Sequence, residues 1–169
     1  IGIGQTKVGE HWDRSLSDLA VEAALAALDN AGLDTADVLY VGNMLGGVLS
    51  GQEHLGALVA DMAGLRGLPA LRVEAADASG AAALHAAYQA VAGGSADVTL
   101  VVGVEKMTDR LPDAAEAGLA TGSQGDYEAA QGITAMAQSA MLMQRYLHQY
   151  GLEVGDFAAF FFTRTGQLA

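Results

Sequence analysis

Short, mostly apolar runs alternate along the chain with longer segments in which apolar residues recur every three or four positions. The runs at 37–42, 70–73 and 98–103 are typical of parallel strands that are covered on both faces. Between them, residues 52–63 and 79–92 have helical spacing. Because strand and helix alternate, the pattern predicts a doubly wound α/β unit with right-handed crossovers.

The first helix has clear start and end signals. Ser15 and Asp18 form the S-x-x-D pattern of a helix N-terminus, and apolar residues follow at helical spacing as far as Leu28. Gly32 suits the left-handed position that closes a helix. Ahead of this helix, we expect residues 1–4 (I-G-I-G) to form the end of a buried strand that enters a glycine-rich turn.

The segment 73–92 predicts the end of a strand, a sharp turn at 76–78 and a helix from Ser79. The helix is small and apolar nearly all round, so we expect it to be covered on every side. In open α/β sheets, ligands bind at the carboxyl ends of the strands. The turn after this strand and the loop after the next strand should therefore share one end of the sheet, and any chemistry is expected there.

Asp77 lies in the turn, at a helix N-terminus that favours negative charge. From the residues alone it is either a helix cap, which is the favoured interpretation, or a general base or charge stabiliser. Ser79 is the only hydroxyl in the turn, but A-D-A-S-G does not match the G-x-S-x-G of a serine nucleophile. His85, two turns into the helix, is interpreted as a core or interface histidine rather than a base.

After Asp109 the pattern changes. Residues 111–125 predict a loop rich in Ala, Gly and acidic residues, and residues 127–150 predict a long helix. Residues 153–162 predict a further amphipathic helix or a short strand. One stripe of the long helix carries apolar residues that we interpret mainly as core filler, namely Ile133, Met136, Ala140, Met143 and Leu147.

Charge narrows the classes of partner. The chain has 8 Lys and Arg residues against 20 Asp and Glu, and this net charge of −12 argues against nucleic acid. It predicts a soluble acidic surface or, alternatively, adaptation to high salt. An anionic ligand would need local arginines or helix N-termini. No apolar run reaches the ~18 residues of a membrane span, and no signal peptide is recognisable, so we expect a cytoplasmic protein without a membrane partner.

Metal, disulfide and nucleotide sites are not indicated. Cysteine is absent, which excludes disulfides, thiolate metal ligands and a cysteine nucleophile. His11, His54 and His148 lack metal-type spacing. The glycines at 42–51 lack the Lys-Ser/Thr pair of a nucleotide P-loop. We therefore expect no metal and no bound cofactor.

Several motifs together resemble the thiolase family. They are V-E-A-A-D-A-S-G-A-A-A-L-H-A-A-Y-Q-A-V-A at 73–92 and V-V-G-V-E-K-M-T-D at 101–109, supported by Y-V-G-N-M-L-G-G at 40–47. Further support comes from D-Y-E-A-A-Q-G-I-T and R-Y-L-H-Q-Y-G within 126–151. The sequence is most similar to the acetyl-CoA acetyltransferase branch of archaea and bacteria that is related to sterol-carrier-type thiolases.

The resemblance implies a layered α/β fold of two similar halves, each with a mixed, mostly parallel sheet, around a buried central helix. Residues 1–109 would be the N-terminal half, and residues 110–169 part of a mainly helical loop domain. The chain would then be partial. Such proteins are expected in the cytoplasm and in lipid metabolism, as homodimers or tetramers or with a companion subunit that completes the fold.

The resemblance also places the chemistry. Family members join or split acyl-CoA thioesters by Claisen chemistry, with a Cys at the helix N-terminus as acyl carrier and with His residues and a second Cys from the C-terminal half. The nucleophile motif normally reads E-A-A-C-A-S-G, so Asp77 occupies the catalytic Cys position. Ser79 and Met107 are the implied substrate-binding residues, and a coenzyme A thioester is the implied substrate.

Three functions follow from the resemblance. The favoured hypothesis is a thiolase-type acyltransferase subunit for acetyl-CoA or acetoacetyl-CoA. It would be inactive with Asp77 at the nucleophile position, because a carboxylate is a poor acyl carrier. The alternative is a non-catalytic thiolase-like partner that binds acyl-CoA or scaffolds an active subunit. A third is a decarboxylase or aldolase-like relative that works without the Cys on a β-keto or β-hydroxy thioester.

Overall fold

A computed structural model describes residues 1–157 of the chain. Its contacts divide it into two compact units, Ile1–Gly122 and a second unit that begins at Ser123. The boundary predicted from the resemblance lies earlier, after Asp109, and as a boundary of the loop domain it stays a prediction. No helix in the described part of the chain is both long and apolar enough to cross a membrane.

The first unit contains a parallel sheet flanked by helices on both faces. In chain order its elements are α1 (Leu16–Ala31), β1 (Val38–Gly42), α2 (Gly46–Leu49), α3 (Leu55–Met62), β2 (Ala70–Val73), α4 (Ser79–Ala92), β3 (Thr99–Gly103) and α5 (Pro112–Ala120). The strand order is β2-β1-β3, with every pair parallel. The α/β class with a parallel sheet, as expected for a thiolase-like fold, is confirmed.

The register makes the three strands end level with one another. Gly42 pairs with Val73 of β2 and with Gly103 of β3. The loops that leave the three carboxyl ends therefore start from the same edge of the sheet, which is where the sequence predicted the site.

The two faces of β1 pack against different helices because its side chains alternate. Leu39 and Val41, both fully buried, join the core formed with α1 and α3. Val38 and Tyr40 point to the opposite face and pack with Ala90 of α4. Each face thus has its own apolar layer, as in doubly wound sheets.

The start and end of α1 are confirmed. The Ser15 hydroxyl accepts a hydrogen bond from the Asp18 N–H at 3.1 Å, and the Asp18 carboxylate accepts one from the Ser15 N–H at 2.8 Å. This reciprocal capping box satisfies two N–H groups of the first turn. Gly32 closes the helix in the left-handed conformation, with φ 69°.

Three local predictions for the first unit are wrong. Residues 1–4 form no strand; their backbone lies against α1, where a Cβ on Gly4 would be 2.1 Å from the Ala23 carbonyl oxygen. The helix expected from residue 52 starts at Leu55, after the short helix α2. The loop expected at 111–125 contains α5, which Pro112 starts because proline suits the first helical position.

Helix α4 has the predicted bounds but is not covered on every side within this chain. Its buried residues follow one stripe, and the opposite face is exposed, including the large side chains of Leu84, Tyr88 and Val91. His85 is exposed as well, so it is not a core histidine of this chain. The small residues of α4 pack on the sheet, and no described residue covers the opposite face of this helix.

The second unit contains α6 (Ala135–Tyr150), preceded by a 3-10 turn at Ala129–Gln131 and followed by another at Val154–Phe157. The helix expected from residue 127 therefore starts later, capped by the Thr134 hydroxyl. None of its residues is buried, and Met136 is 74% exposed, so the core-filler interpretation of its stripe is wrong for this chain. Residues 158–162 of the last predicted element lie outside the described residues.

Candidate functional site

An open pocket of about 360 Å³ lies at the carboxyl edge of the sheet, where β1 and β3 end and α4 begins. Asp77, Ser79 and Met107, the three site residues predicted from the sequence, all line it. The sequence placed the turn after β2 and the loop after β3 at one end of the sheet, and the structure brings them into one cavity.

The turn that leads into α4 carries backbone strain. Ala76 has φ 48°, a left-handed conformation that costs a residue with a Cβ about 1–2 kcal/mol. Strained residues of this kind concentrate in active sites and ligand clamps. The turn is closed by two backbone bonds, from the Ala78 N–H to the Ala75 carbonyl at 3.0 Å and from the Ser79 N–H to the Ala76 carbonyl at 3.1 Å.

Ser79 holds this turn with its side chain. Its hydroxyl donates to the Ala76 carbonyl at 2.6 Å and accepts from the Ala75 N–H at 2.9 Å, and the residue is 5% exposed. The single proton of the hydroxyl is therefore used inside the protein. Ser79 shapes the pocket, and its contact with a substrate stays a prediction.

Asp77 is not the cap of α4. The residue at the cap position is Ala78, with φ −92° and ψ 7°, and no side chain bonds to the first turn. The cap geometry requires an extended backbone, which this turn does not provide. The Asp77 side chain is exposed in the pocket and forms no hydrogen bond or ion pair within residues 1–157. Its carboxylate is left free beside the N-terminus of a 14-residue helix.

A close approach of backbones fixes the distance between the sheet edge and this turn. A Cβ on Gly42 would lie 2.7 Å from the Ser79 carbonyl oxygen and 2.8 Å from Cα of Gly80. The glycine at the end of β1 therefore lets α4 begin directly against the strand. Met44, Leu45, Met107 and Leu119 supply apolar walls around the opening.

Sequence reasoning missed the group that builds the opposite wall. Glu105 accepts hydrogen bonds from the Asn43 side-chain amide at 2.9 Å and from the N–H groups of Met44 and Leu45, each at 3.0 Å. Asn43 is 2% exposed; its amide also donates to the Val104 carbonyl, and its oxygen accepts from the Gly46 N–H. Together these bonds tie the loop after β1 to the loop after β3.

Arg72 of β2 supports the same loop from the other side. Its guanidinium donates to the Asn43 carbonyl at 3.1 Å and to the Met44 carbonyl at 2.7 Å, and it forms an ion pair with Glu53 at 2.7 Å. A fork of donors with fixed geometry is well suited to hold two carbonyls at once. In the sequence, Asn43 and Glu105 are marked only by the family motifs at 40–47 and 101–109, and these motifs do not reveal the hydrogen bond between the two side chains.

Lys106 and Asp109 form an ion pair in the loop after β3. Lys106 is 8% exposed, and its ammonium donates to the Asp109 carboxylate. This hydrogen bond holds the pKa of Asp109 below its ordinary value, because it stabilises the charged form. A buried ammonium needs such a partner, so the pair fixes the path of the loop that carries Met107.

The remaining histidines do not join the site. His11 and His54 are outside the pocket in the first unit, and His148 lies near the end of α6. Among residues 1–157, no group of three or more His, Asp or Glu side chains is placed to hold a metal ion.

Comparison with known proteins identifies the family. The family model described as thiolase, N-terminal domain, matches residues 1–160. An acetyl-CoA acetyltransferase of Methanocaldococcus jannaschii is 49% identical over 158 residues, which cover 92% of this chain and 40% of that protein. The acetyl-CoA acetyltransferase of Methanothermobacter thermautotrophicus is 47% identical over 153 residues, 89% of this chain and 39% of that protein.

A third relative is the benzoylsuccinyl-CoA thiolase subunit BbsB of Thauera aromatica, 35% identical over 161 residues, 93% of this chain and 40% of that protein. The chain spans about two fifths of the length of these curated relatives. Since the family model covers nearly all of the sequence and the relatives align over nine tenths of it, the chain belongs to the thiolase family and corresponds to its N-terminal domain.

Proposed function

We propose that the chain is part of a thiolase-type acyltransferase for acetyl-CoA or acetoacetyl-CoA, acting by Claisen condensation or thiolysis. The observation that carries the proposal is the pocket in which Asp77, at the family's nucleophile position, lies beside the N-terminus of α4. Helix N-termini stabilise negative charge, which develops on a thiolate nucleophile and on the oxygen of an attacked thioester. The coenzyme A thioester is the substrate, and no bound cofactor is needed.

With Asp77 in place the chain is inactive as an acyl carrier. A thiolate attacks thioesters well because the sulfur is strongly nucleophilic and its acyl product is again a thioester. A carboxylate is a weak nucleophile, and its negative charge opposes the oxyanion of the addition step. We therefore place Asp77 at the right position for the chemistry but with the wrong side chain for it.

The test is the substitution Asp77→Cys in the otherwise unmodified protein. Incubation with acetyl-CoA or acetoacetyl-CoA is expected to acetylate the introduced thiol, which intact-mass spectrometry detects as one added acetyl group. The matched control is Ala78→Cys, which places a thiol one residue along the same turn. We expect acetylation at least about tenfold faster at position 77, because reactivity depends on alignment with the helix N-terminus.

Two results would contradict this proposal. A folded Asp77→Cys protein that is acetylated no faster than the Ala78→Cys control would remove position 77 from the chemistry. Thiolysis of acetoacetyl-CoA by the unmodified protein would show a reaction that needs no Cys at position 77.

A second candidate is a non-catalytic thiolase-like partner that binds acyl-CoA or scaffolds an active subunit. The exposed apolar face of α4 favours it, because Leu84 and Tyr88 are more than half exposed in a helix of the family's central type. Calorimetric binding of acetyl-CoA by the unmodified protein without turnover would support this candidate.

The first proposal includes three further properties. They are assembly as a homodimer or tetramer, a cytoplasmic location and a role in lipid metabolism.

A further inference from the structure

The loop after β1 is held at every backbone polar group of residues 43–45. Its N–H groups donate to the last carbonyl of β2 and, twice, to the Glu105 carboxylate. Its carbonyls accept two hydrogen bonds from Arg72 and one from a backbone N–H of α2. A segment whose backbone groups are all paired can move only by breaking hydrogen bonds. The loop is therefore a fixed wall of the pocket, to which it contributes Met44 and Leu45.

The side chain of Met44 extends from this fixed loop towards the turn that carries Asp77. A Cβ added to Gly122 would lie 3.2 Å from the Met44 methyl carbon and 3.5 Å from Cβ of Ala76. The Met44 methyl and the residue directly before Asp77 are thus neighbours of the same point in space. Glycine at position 122 leaves room for the methyl group there.

An acyl chain that starts at position 77 would run along apolar walls. Met44, Leu45, Met107 and Leu119 all line the pocket. Such walls suit an alkyl chain, because each methylene that leaves water adds to the free energy of binding. Met44 is half-buried and its methyl lies beside the turn, so its side chain limits how far such a chain can extend.

We propose that Met44 determines the length of the acyl group that the pocket accepts, and that Glu105 and Arg72 position it through the fixed loop. The ligand is a coenzyme A thioester whose acyl chain is short enough to end at Met44. This rests on the proposed function in one respect, namely that acyl-CoA binds with its acyl group beside position 77. It does not require covalent transfer to that residue, so it is tested on the protein with Asp77 in place.

The measurement is the Kd of acetyl-, butyryl-, hexanoyl- and octanoyl-CoA, determined by calorimetry with the full chain. Because the coenzyme A part is the same in all four ligands, the ratios of their Kd values report the acyl group alone. Each methylene buried against an apolar wall strengthens binding about fourfold. A butyryl chain has as many carbons as acetoacetyl, so we expect affinity to rise from acetyl to butyryl and not to rise further with hexanoyl.

Two substitutions of Met44 should shift this limit in opposite directions. Met44→Ala opens room for the two additional methylenes of a hexanoyl chain, and it is expected to improve hexanoyl-CoA binding about tenfold relative to butyryl-CoA. Met44→Phe puts a larger and stiffer side chain in the same place and is expected to remove the advantage of butyryl over acetyl.

Met62→Ala is the matched control for Met44→Ala. Met62 is 44% exposed, lies in α3 and does not line the pocket, so the same atoms are removed elsewhere in the unit. It should leave all four Kd values unchanged. A general loss of stability would weaken the four ligands by one factor and leave their ratios as they are. Equal hexanoyl-to-butyryl ratios in Met44→Ala and Met62→Ala would overturn the proposal.

Glu105→Gln tests the positioning of the loop with Met44 in place. Glutamine has one acceptor oxygen and an NH₂ donor, so it cannot accept all three hydrogen bonds of the carboxylate. We expect the hexanoyl-to-butyryl preference to shift about threefold in the same direction as in Met44→Ala. An unchanged preference would show that the carboxylate does not position Met44.

The chain-length limit and the acyltransferase proposal fail separately. If Asp77→Cys is acetylated but Met44→Ala keeps the chain-length ratios of the unmodified protein, only the limit is overturned. If Met44→Ala shifts the ratios but Asp77→Cys is acetylated no faster than its control, the limit stands without the acyl transfer. Absence of binding of all four ligands to the unmodified protein would overturn the limit, while the mass of Asp77→Cys still decides the acyl transfer.

Discussion

The hydroxyl of Ser79 holds together the turn on which the candidate site is built. It bridges the Ala75 N–H and the Ala76 carbonyl across a residue in the left-handed conformation. Without it, the turn would lose both of these hydrogen bonds, although the Ala76 carbonyl would keep its bond from the Ser79 N–H. An intramolecular hydrogen bond contributes about 0.5–1.5 kcal/mol, so the two bonds together contribute about 1–3 kcal/mol.

We therefore predict that Ser79→Ala lowers the free energy of unfolding by about 1–3 kcal/mol, measured by urea denaturation. Ser95→Ala is the control, because the Ser95 hydroxyl makes a single bond of 3.0 Å, to the Ala90 carbonyl, on an exposed residue. It should cost clearly less. A Ser79→Ala protein as stable as its Ser95→Ala counterpart would show that the hydroxyl does not hold the turn.

At the residue scale, the sequence does not reveal features that depend on backbone geometry or on the fold. Asp77 was expected to be a cap because aspartate is a good cap, but capping requires an extended backbone at the position directly before the helix, which residue type does not reveal; here that position is Ala78. Asn43 and Glu105 are 62 positions apart, so their hydrogen bond follows from the fold and not from local sequence. The turn at Asp77 was predicted as the place of the chemistry from the residues alone, and only its role as the nucleophile position came from the family motif.

At the scale of elements, the start of β3 is tied to the start of β1 by one carboxylate. Asp37 accepts hydrogen bonds from the N–H groups of Asp97 and Val98, both at 2.8 Å. These bonds, with that from Val98 first, hold the pKa of Asp37 below its ordinary value because they stabilise the charged form. A carboxyl group with a lowered pKa in the folded state contributes stability that is present above its unfolded pKa and lost as the pH falls through the folded pKa.

Asp37→Asn is therefore expected to destabilise the protein at pH 7 and to matter progressively less below about pH 4, near the pKa of an unfolded aspartate. The measurement is the free energy of unfolding in urea across this pH range. Asp34→Asn is the control, since its carboxylate makes no hydrogen bond or ion pair within residues 1–157. A stability difference between Asp37→Asn and the unmodified protein that is equal at pH 7 and pH 3 would contradict this interpretation.

Elements with local signals were predicted well, and elements that depend on their surroundings were not. The capping box and Gly32 define α1 without help from the rest of the chain. Helix α5 was missed because its alanines, glycine and acidic residues looked like a loop, although Pro112 marked its start. Its place depends on contacts with α2, where a Cβ on Gly118 would lie 3.2 Å from a Leu49 methyl group.

At the scale of the whole molecule, α4 presents two different surfaces. Ala83, Ala87 and Ala90 pack on the sheet, whereas Leu84, Tyr88 and Val91 are exposed. The sequence predicted a helix covered all round, and the described residues cover one side only. An apolar face of this kind marks an interaction surface. It fits a companion that completes the fold, because the resemblance places this helix between the sheets of the family's two similar halves; a second half of the same protein, a further copy or a companion subunit could each cover it.

We predict that Leu84→Asp reduces the mass of the native assembly, as measured by size-exclusion chromatography with light scattering. Leu84 is 62% exposed in the isolated chain, so the substitution leaves the fold of the first unit intact. In a covered interface, by contrast, an unpaired carboxylate loses its hydration at a cost of several kcal/mol. Val8→Asp, on an exposed residue outside α4, introduces the same charge and should leave the mass unchanged. A Leu84→Asp protein with the mass of the unmodified protein would mean that no separate chain covers this face.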